Sequence, residues 1–123
     1  STDAQPLVSL GLLNDFEPRV TKAIRIMEAH IDEPMSIVSV AEQLAMSSRR
    51  LEKLFQQHLQ CSPGVFYLRL RLQRARKYVT DTLLSMQEIA IRTGFNSLSA
   101  FSRSFKKHYQ RAPSDYRKNQ PKP

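Results

Sequence analysis

The sequence predicts an all-α protein, and three observations carry that prediction. Glycine is scarce, at three in 123 residues, and no evenly spaced turn residues divide the chain into short strands. Apolar residues recur at i, i+3, i+4 and i+7 through most of its length. Several of those periodic runs start just after a serine, whose hydroxyl satisfies the first amides of a helix. With 41% hydrophobic residues, the chain suffices for one compact domain or two very small ones that share an element.

Each element follows in order. Residues 1–14 show no period and read as a linker outside the fold. Asp15 is a plausible cap for a helix on which Val20, Ile24, Met27 and Ile31 share a face. Ser36 can cap a short helix with Ile37, Val40, Ala41 and Leu44 on one side, and Ser47 a longer one with Leu51, Leu54, Phe55 and Leu59 inward. Two short helices separated by a tight turn have the form of a helix-turn-helix, here residues 15–60. In "SPGVFYLRLRLQRARKYVTDT" the alternation of Leu68, Leu70 and Leu72 with arginines resembles a strand. Ser62 as cap, Pro63 at the first position and a run of strong helix formers decide for a helix over 62–82. Val65, Leu68, Leu72, Ala75 and Val79 keep one flank, Phe66 and Leu70 a second, so this connecting helix is expected between two packing partners. Ser85 and Glu88 form an S-x-x-E capping box, Gly94 ends the helix that follows, and Ser97 caps the next. A second helix-turn-helix therefore spans 85–118, Pro113 opens a final turn, and 119–123 should be loose.

The chain repeats itself. A shift of fifty places Leu51 on Phe101, Phe55 on Phe105, His58 on His108, Gln60 on Gln110 and Pro63 on Pro113. The preceding helices align at a shift of one less, so the second turn holds one extra residue. The Phe101 and Phe105 seam is then the inward face of a reading helix. Opposite it stand Ser99, Ser102, Arg103 and Lys106, and in the first unit Arg49, Glu52, Lys53 and Gln56, none of them apolar. Any surface helix has a polar stripe. Two at matching places on second helices favour base reading: Arg and Lys suit guanine or phosphate, Gln adenine, and Glu the cytosine amino group.

Charge is uneven. Residues 1–46 hold three Lys/Arg and seven Asp/Glu, 3 − 7 = −4, whereas 47–123 hold sixteen and four, 16 − 4 = +12. Such a basic part suits a polyanion, although a basic solvated surface gives the same count. The connecting helix, about 18 residues and so about 27 Å long, approaches with helix widths added the roughly 34 Å between successive major-groove faces. A monomer reading an asymmetric site is the expectation.

Other classes find less support. The three histidines are scattered, lone Cys61 has no evident base, and no nucleophile-elbow or zincin motif occurs, so an enzyme, a metal site or a cofactor is not expected. His58 and His108 read as helix-end residues favoured by the dipole. No apolar run approaches the roughly 18 residues of a membrane span, and a cytoplasmic setting is expected. An interaction module docking its basic amphipathic helix on an acidic protein or anionic membrane is the alternative. RNA binding is a third, weakened by the lack of stacking aromatics in the exposed stripes.

The residues "IAIRTGFNSLSAFSRSFKKHYQRAPSDYR", with Ile-Ala, Gly-Phe, a Phe-x-x-x-Phe-Lys helix, Pro and Tyr-Arg, closely resemble the signature of AraC/XylS-type transcription regulators. The likeness runs from about Arg19 to Lys118, and "MEAHIDEP" and "RRLEKLF" look most like the subgroup with an amidase-like sensor domain. The resemblance implies seven helices, two helix-turn-helix units on adjacent major grooves, bacterial-type transcription regulation, and RNA polymerase as a partner. It implies that the family's regulatory sensor domain is missing from this chain. Base contacts would come from Arg49, Glu52, Lys53 and Gln56 and from Leu98, Ser99, Ser102 and Arg103, with Leu98 either touching a thymine methyl or packing. Phosphate contacts would come from Ser47, Ser48, Arg50, Asn96, Ser97 and Lys106. Gln60 and Gln110 depart from the pattern, where glycine usually ends the reading helix, and should cost stability if those positions need positive φ.

Overall fold

The computed structural model describes residues 17–118. The expected cap at Asp15, the linker over 1–14 and the tail over 119–123 lie outside the described residues. Seven α-helices and no strand occur among those described: α1 Pro18–Ala29, α2 Ile37–Gln43, α3 Ser48–Leu59, α4 Pro63–Asp81, α5 Met86–Arg92, α6 Leu98–Tyr109 and α7 Pro113–Lys118. The all-α expectation and its seven helices are borne out.

Serines start α2, α3, α5 and α6 as expected: Ser36, Ser47, Ser85 and Ser97 each accept the amide three residues on, at 3.0–3.1 Å. At α1 the cap is Glu17, whose carboxylate accepts the Arg19 amide at 3.2 Å and Arg19 Nε at 2.7 Å, with Pro18 at the first helical position. Burial alone would raise the Glu17 carboxyl; the hydrogen bond and charge of Arg19 outweigh it and hold the group below its ordinary value. The Ser85 half of the expected capping box forms, while the Glu88 carboxylate meets Arg92 at 3.4 Å.

The chain divides into two compact units. The described part of the first comprises 17–30 and 34–70, and its core holds Val20, Ile24, Met27, Val40, Leu51, Leu54 and Phe55, each at most 3% exposed. Phe66 of α4 sets its ring edge-on to Phe55 at 5.7 Å. Tyr67 reaches the α1–α2 connection, donating its hydroxyl to the His30 carbonyl and accepting from the Met35 amide at 3.1 Å. The second unit comprises 31–33 and 71–118 in the described residues, with Leu72, Ala75, Val79, Ile89, Ala90, Phe101, Phe105 and Tyr116 buried. Its core is a relay of rings: Phe95 to Phe101 at 5.4 Å, Phe101 to Phe105 at 5.6 Å, and Phe105 to Tyr116 at 5.7 Å. Arg117 of α7 donates to the Val79 carbonyl at 2.9 Å, satisfying an acceptor that the end of α4 leaves open.

The strand-like alternation in α4 is resolved in favour of the helix, with one correction to its buried face. Val65 is 43% exposed, whereas Tyr67, which the flank reading omitted, is 4% exposed. A tyrosine removes more apolar area from water than a valine and here finds partners for its hydroxyl, so the larger ring takes the interior.

Both turns share one hydrogen-bonding scheme. Ala45 donates to Glu42 and Met46 to Ala41; Gly94 donates to Ile91 and Phe95 to Ala90. Each is a Schellman ending, in which a left-handed residue lets two successive amides reach back over the last turn. The left-handed position is Ala45 at φ 55° in the first turn and Gly94 at φ 80° in the second. Asn96 is the extra residue, since Ser47 follows Met46 directly while Ser97 comes two after Phe95.

Candidate nucleic-acid interface

Leu51, Leu54 and Phe55 draw one side of α3 inward, which leaves Arg49, Glu52, Lys53 and Gln56 exposed on the other. These four, with Ser62 from the start of α4, line an open concavity of about 350 Å³. A guanidinium, an ammonium, a carboxylate, an amide and a hydroxyl thus face one space, a donor and acceptor set suited to base edges and phosphate oxygens. Ser62 was not expected there, and its only sequence signal was its role as the α4 cap, where it accepts the Val65 amide at 3.2 Å. Ser47 and Arg50 are exposed and Ser48 half-buried. Although the Ser47 oxygen is engaged by the Arg50 amide at 3.1 Å, its hydroxyl hydrogen remains able to donate.

On α6, Phe101 and Phe105 are fully buried, and Ser99, Arg103 and Lys106 are exposed, with Ser102 half-buried. Arg103 donates from Nη1 to Ser99 Oγ at 2.8 Å, one helical turn away. The contact limits the rotamers of a long side chain before any ligand arrives, which lowers the entropy lost on binding. Leu98 is 39% exposed, so its side chain is accessible at the start of the helix. Asn96 and Ser97 are exposed beside it. The amides that open α3 and α6 lie at the positive ends of the helix dipoles, where anionic groups are favoured.

Both helices end on left-handed glutamines, Gln60 at φ 56° and Gln110 at φ 69°. Each amide donates to the carbonyl four residues back, and each side-chain Nε2 to the carbonyl three back at 3.2 Å. Glutamine thus supplies its own hydrogen bond where glycine would supply only conformational freedom.

A residue outside the sequence-based site organises the second turn. Arg71 of α4 donates from Nε to the Thr93 carbonyl and from Nη2 to the Gly94 carbonyl, both at 2.8 Å. Its guanidinium carbon lies 4.3 Å from the centroid of the Phe95 ring. Thr93, fully buried, turns its hydroxyl to the Ile89 carbonyl at 2.7 Å. An arginine between two leucines in a basic run looks like surface charge, so sequence offered no signal for this fork.

Residues 40–119 match a family model described as a helix-turn-helix domain. The chain belongs to the AraC-type helix-turn-helix family of DNA-binding domains. It is 38% identical to an AraC-type transcriptional regulator structure from Chromobacterium violaceum, with a TM-score of 0.80 over 85% of this chain and 96% of that one. The HTH-type transcriptional regulator GbdR of Pseudomonas aeruginosa is 37% identical over 97% of this chain and 32% of its own length. A DNA-binding domain solved in complex with a target DNA, that of the global transcriptional factor AdpA, shares the fold at 22% identity, with a TM-score of 0.77 over 81% and 90% of the two chains. The chain spans about a third of the length of the curated relatives it matches. These are transcription regulators rather than enzymes, and the amphipathic-module alternative gains nothing from them. Phe66, Tyr67, Leu70, Leu72, Ala75 and Val79, the apolar residues such a module would offer from α4, are buried. Among the described residues no cluster of His, Cys, Asp or Glu could hold a metal ion, and no helix is long and apolar enough to cross a membrane.

Proposed function

We propose that this chain reads double-stranded DNA in a sequence-specific way, each unit laying its second helix in a major groove of an asymmetric site. The observation that carries this reading is the pair of matched outward stripes on α3 and α6, one lining a shared concavity and the other holding Arg103 ready through Ser99. Arg49, Glu52, Lys53 and Gln56 read bases from the first unit, and Leu98, Ser99, Ser102 and Arg103 from the second. Leu98 supplies apolar contact to a thymine methyl, consistent with its exposure. Ser47, Ser48, Arg50, Asn96, Ser97 and Lys106 hold phosphates. The working boundaries are 15–60 and 85–118 for the two units and 62–82 for the helix joining them.

The greater length of the relatives supports placing this domain in a larger regulator; a sensor domain of the amidase-like kind, a cytoplasmic setting and action on RNA polymerase are proposed from the family resemblance alone. The isolated domain is proposed to bind as a monomer.

Selection of the purified chain against a random duplex library at near-physiological salt tests this reading. Two enriched short blocks about one helical turn apart, without palindromy, are the expected outcome. With roughly 6–10 phosphate contacts, affinity should fall about 10³–10⁵-fold between about 50 and 200 mM salt. Salt-sensitive binding with no enriched sequence would remove base reading from the proposal, and a flat salt response would remove DNA.

A further inference from the structure

Helix ends leave carbonyls without partners, and the short α5 ends at the turn that delivers the second reading helix. Arg71 closes that end. Its planar fork accounts for the Thr93 and Gly94 carbonyls together, both at 2.8 Å, and places positive charge at the negative end of α5. The same guanidinium covers the Phe95 ring at 4.3 Å, and Phe95 in turn meets Phe101, a fully buried residue of α6, at 5.4 Å. A continuous path of contacts thus runs from α4 through the turn to the inward face of α6. Phe95 stands two residues before the Ser97 cap and four before Ser99. At the matching shifts the first unit carries Thr21 and Lys22 in α1, Lys22 exposed, and Met46 in place of Phe95, so neither a guanidinium nor an aromatic ring stands at those positions.

We infer that Arg71 is a positioning residue for DNA reading: it touches no base, and it fixes where α6 begins and how Leu98, Ser99 and Arg103 are presented. The inference rests on the DNA reading proposed above. Lysine at this position would keep the charge but would lose the two-pronged donor and the flat face that lies on Phe95.

Arg71→Lys in the whole chain gives two readouts. In DNA-free protein, hydrogen exchange should accelerate about tenfold at the bonded amides of Gly94, Phe95, Ala100 and Phe101. The matching amides of Ala45, Met46, Arg50 and Leu51, which make the same bonds in the first unit, should keep wild-type rates. On the library-selected duplex, footprinting should show protection weakened roughly tenfold over the block in which Arg103→Ala relaxes a base position, with the other block retained. Unchanged exchange at Gly94 to Phe101 would overturn the inference, as would equal weakening of both blocks, which marks a general phosphate contact. If the lysine variant unfolds the second unit, Phe95→Leu removes the ring and leaves the fork; loss confined to the same block supports the inference, and wild-type protection of both blocks overturns it. A wild-type chain that selects no duplex sinks the DNA reading itself, and the exchange measurement still decides whether Arg71 holds the turn.

Discussion

The two helix-turn-helix units solve one problem with different means. Their turns make the same two backbone hydrogen bonds, yet the first places an alanine in the left-handed position and the second a glycine. The second unit adds one residue, a guanidinium fork and a chain of aromatic contacts, whereas the first relies on aliphatic packing and one edge-on ring pair. Their reading faces differ as well. That of α3 mixes both signs of charge around a concavity, and that of α6 sets two serines beside Leu98, Lys106 and an arginine held by Ser99. The repeat keeps backbone geometry while leaving side-chain chemistry free, as the proposed reading of two different half-sites would require.

The widest gap between the units should appear in their cores. Phe105→Ala removes a ring that touches Phe101, Tyr109 and Tyr116, and should cost about 3–5 kcal/mol. Its counterpart Phe55→Ala, with a single ring contact at Phe66, should fall at the lower end of that range. Denaturant unfolding of both variants checks the order, and equal losses would mean that the rings add nothing beyond their buried area.

Base reading should separate the units next. Arg103→Ala should cost about 1–3 kcal/mol on the selected duplex and relax one base position. Arg49→Ala should relax a position in the other block instead. If either substitution lowered affinity equally on all sequences, that arginine would belong with the phosphate contacts.

The turns themselves are a finer probe. Gly94→Ala forces a side chain into a left-handed backbone, offset by the freedom that the unfolded chain loses with glycine, and should destabilise by about 0.5–1 kcal/mol. Ala45→Gly relieves the same strain, offset by the greater freedom of glycine in the unfolded chain, and should stabilise by about 0.5–1 kcal/mol. Thermal unfolding reads both signs, and a destabilising Ala45→Gly would break the equivalence of the turns. Smallest of all, Gln60→Gly and Gln110→Gly should change stability by less than about 0.5 kcal/mol, because each loses the side-chain bond at 3.2 Å as it loses strain.

Much of this was legible in the sequence, for identifiable reasons. Apolar spacing located the helices because burial imposes a 3.6-residue period, and serine caps located their starts because four first-turn amides need acceptors. The extra residue in the second turn showed as a change in repeat shift. Less legible was whatever depends on a distant partner. Glu17 caps α1 through Arg19, a local pairing that a search for short polar caps overlooks. Tyr67 is buried because the His30 carbonyl and Met35 amide lie far along the chain, and periodicity cannot name them. Arg71 is hidden for the same reason, since its value lies in two carbonyls more than twenty residues away.

The paired ends of α3 and α6 set a limit on vocabulary. A serine fixes where each helix starts and a left-handed glutamine where it stops, at 12 residues in both cases. Such a rod is about 18 Å long, and at about 3.4 Å per base pair it spans no more than roughly five letters. On the proposed DNA reading, each unit is a reader of short words whose length is written into the protein, and the precision of an operator would come from joining two of them in order.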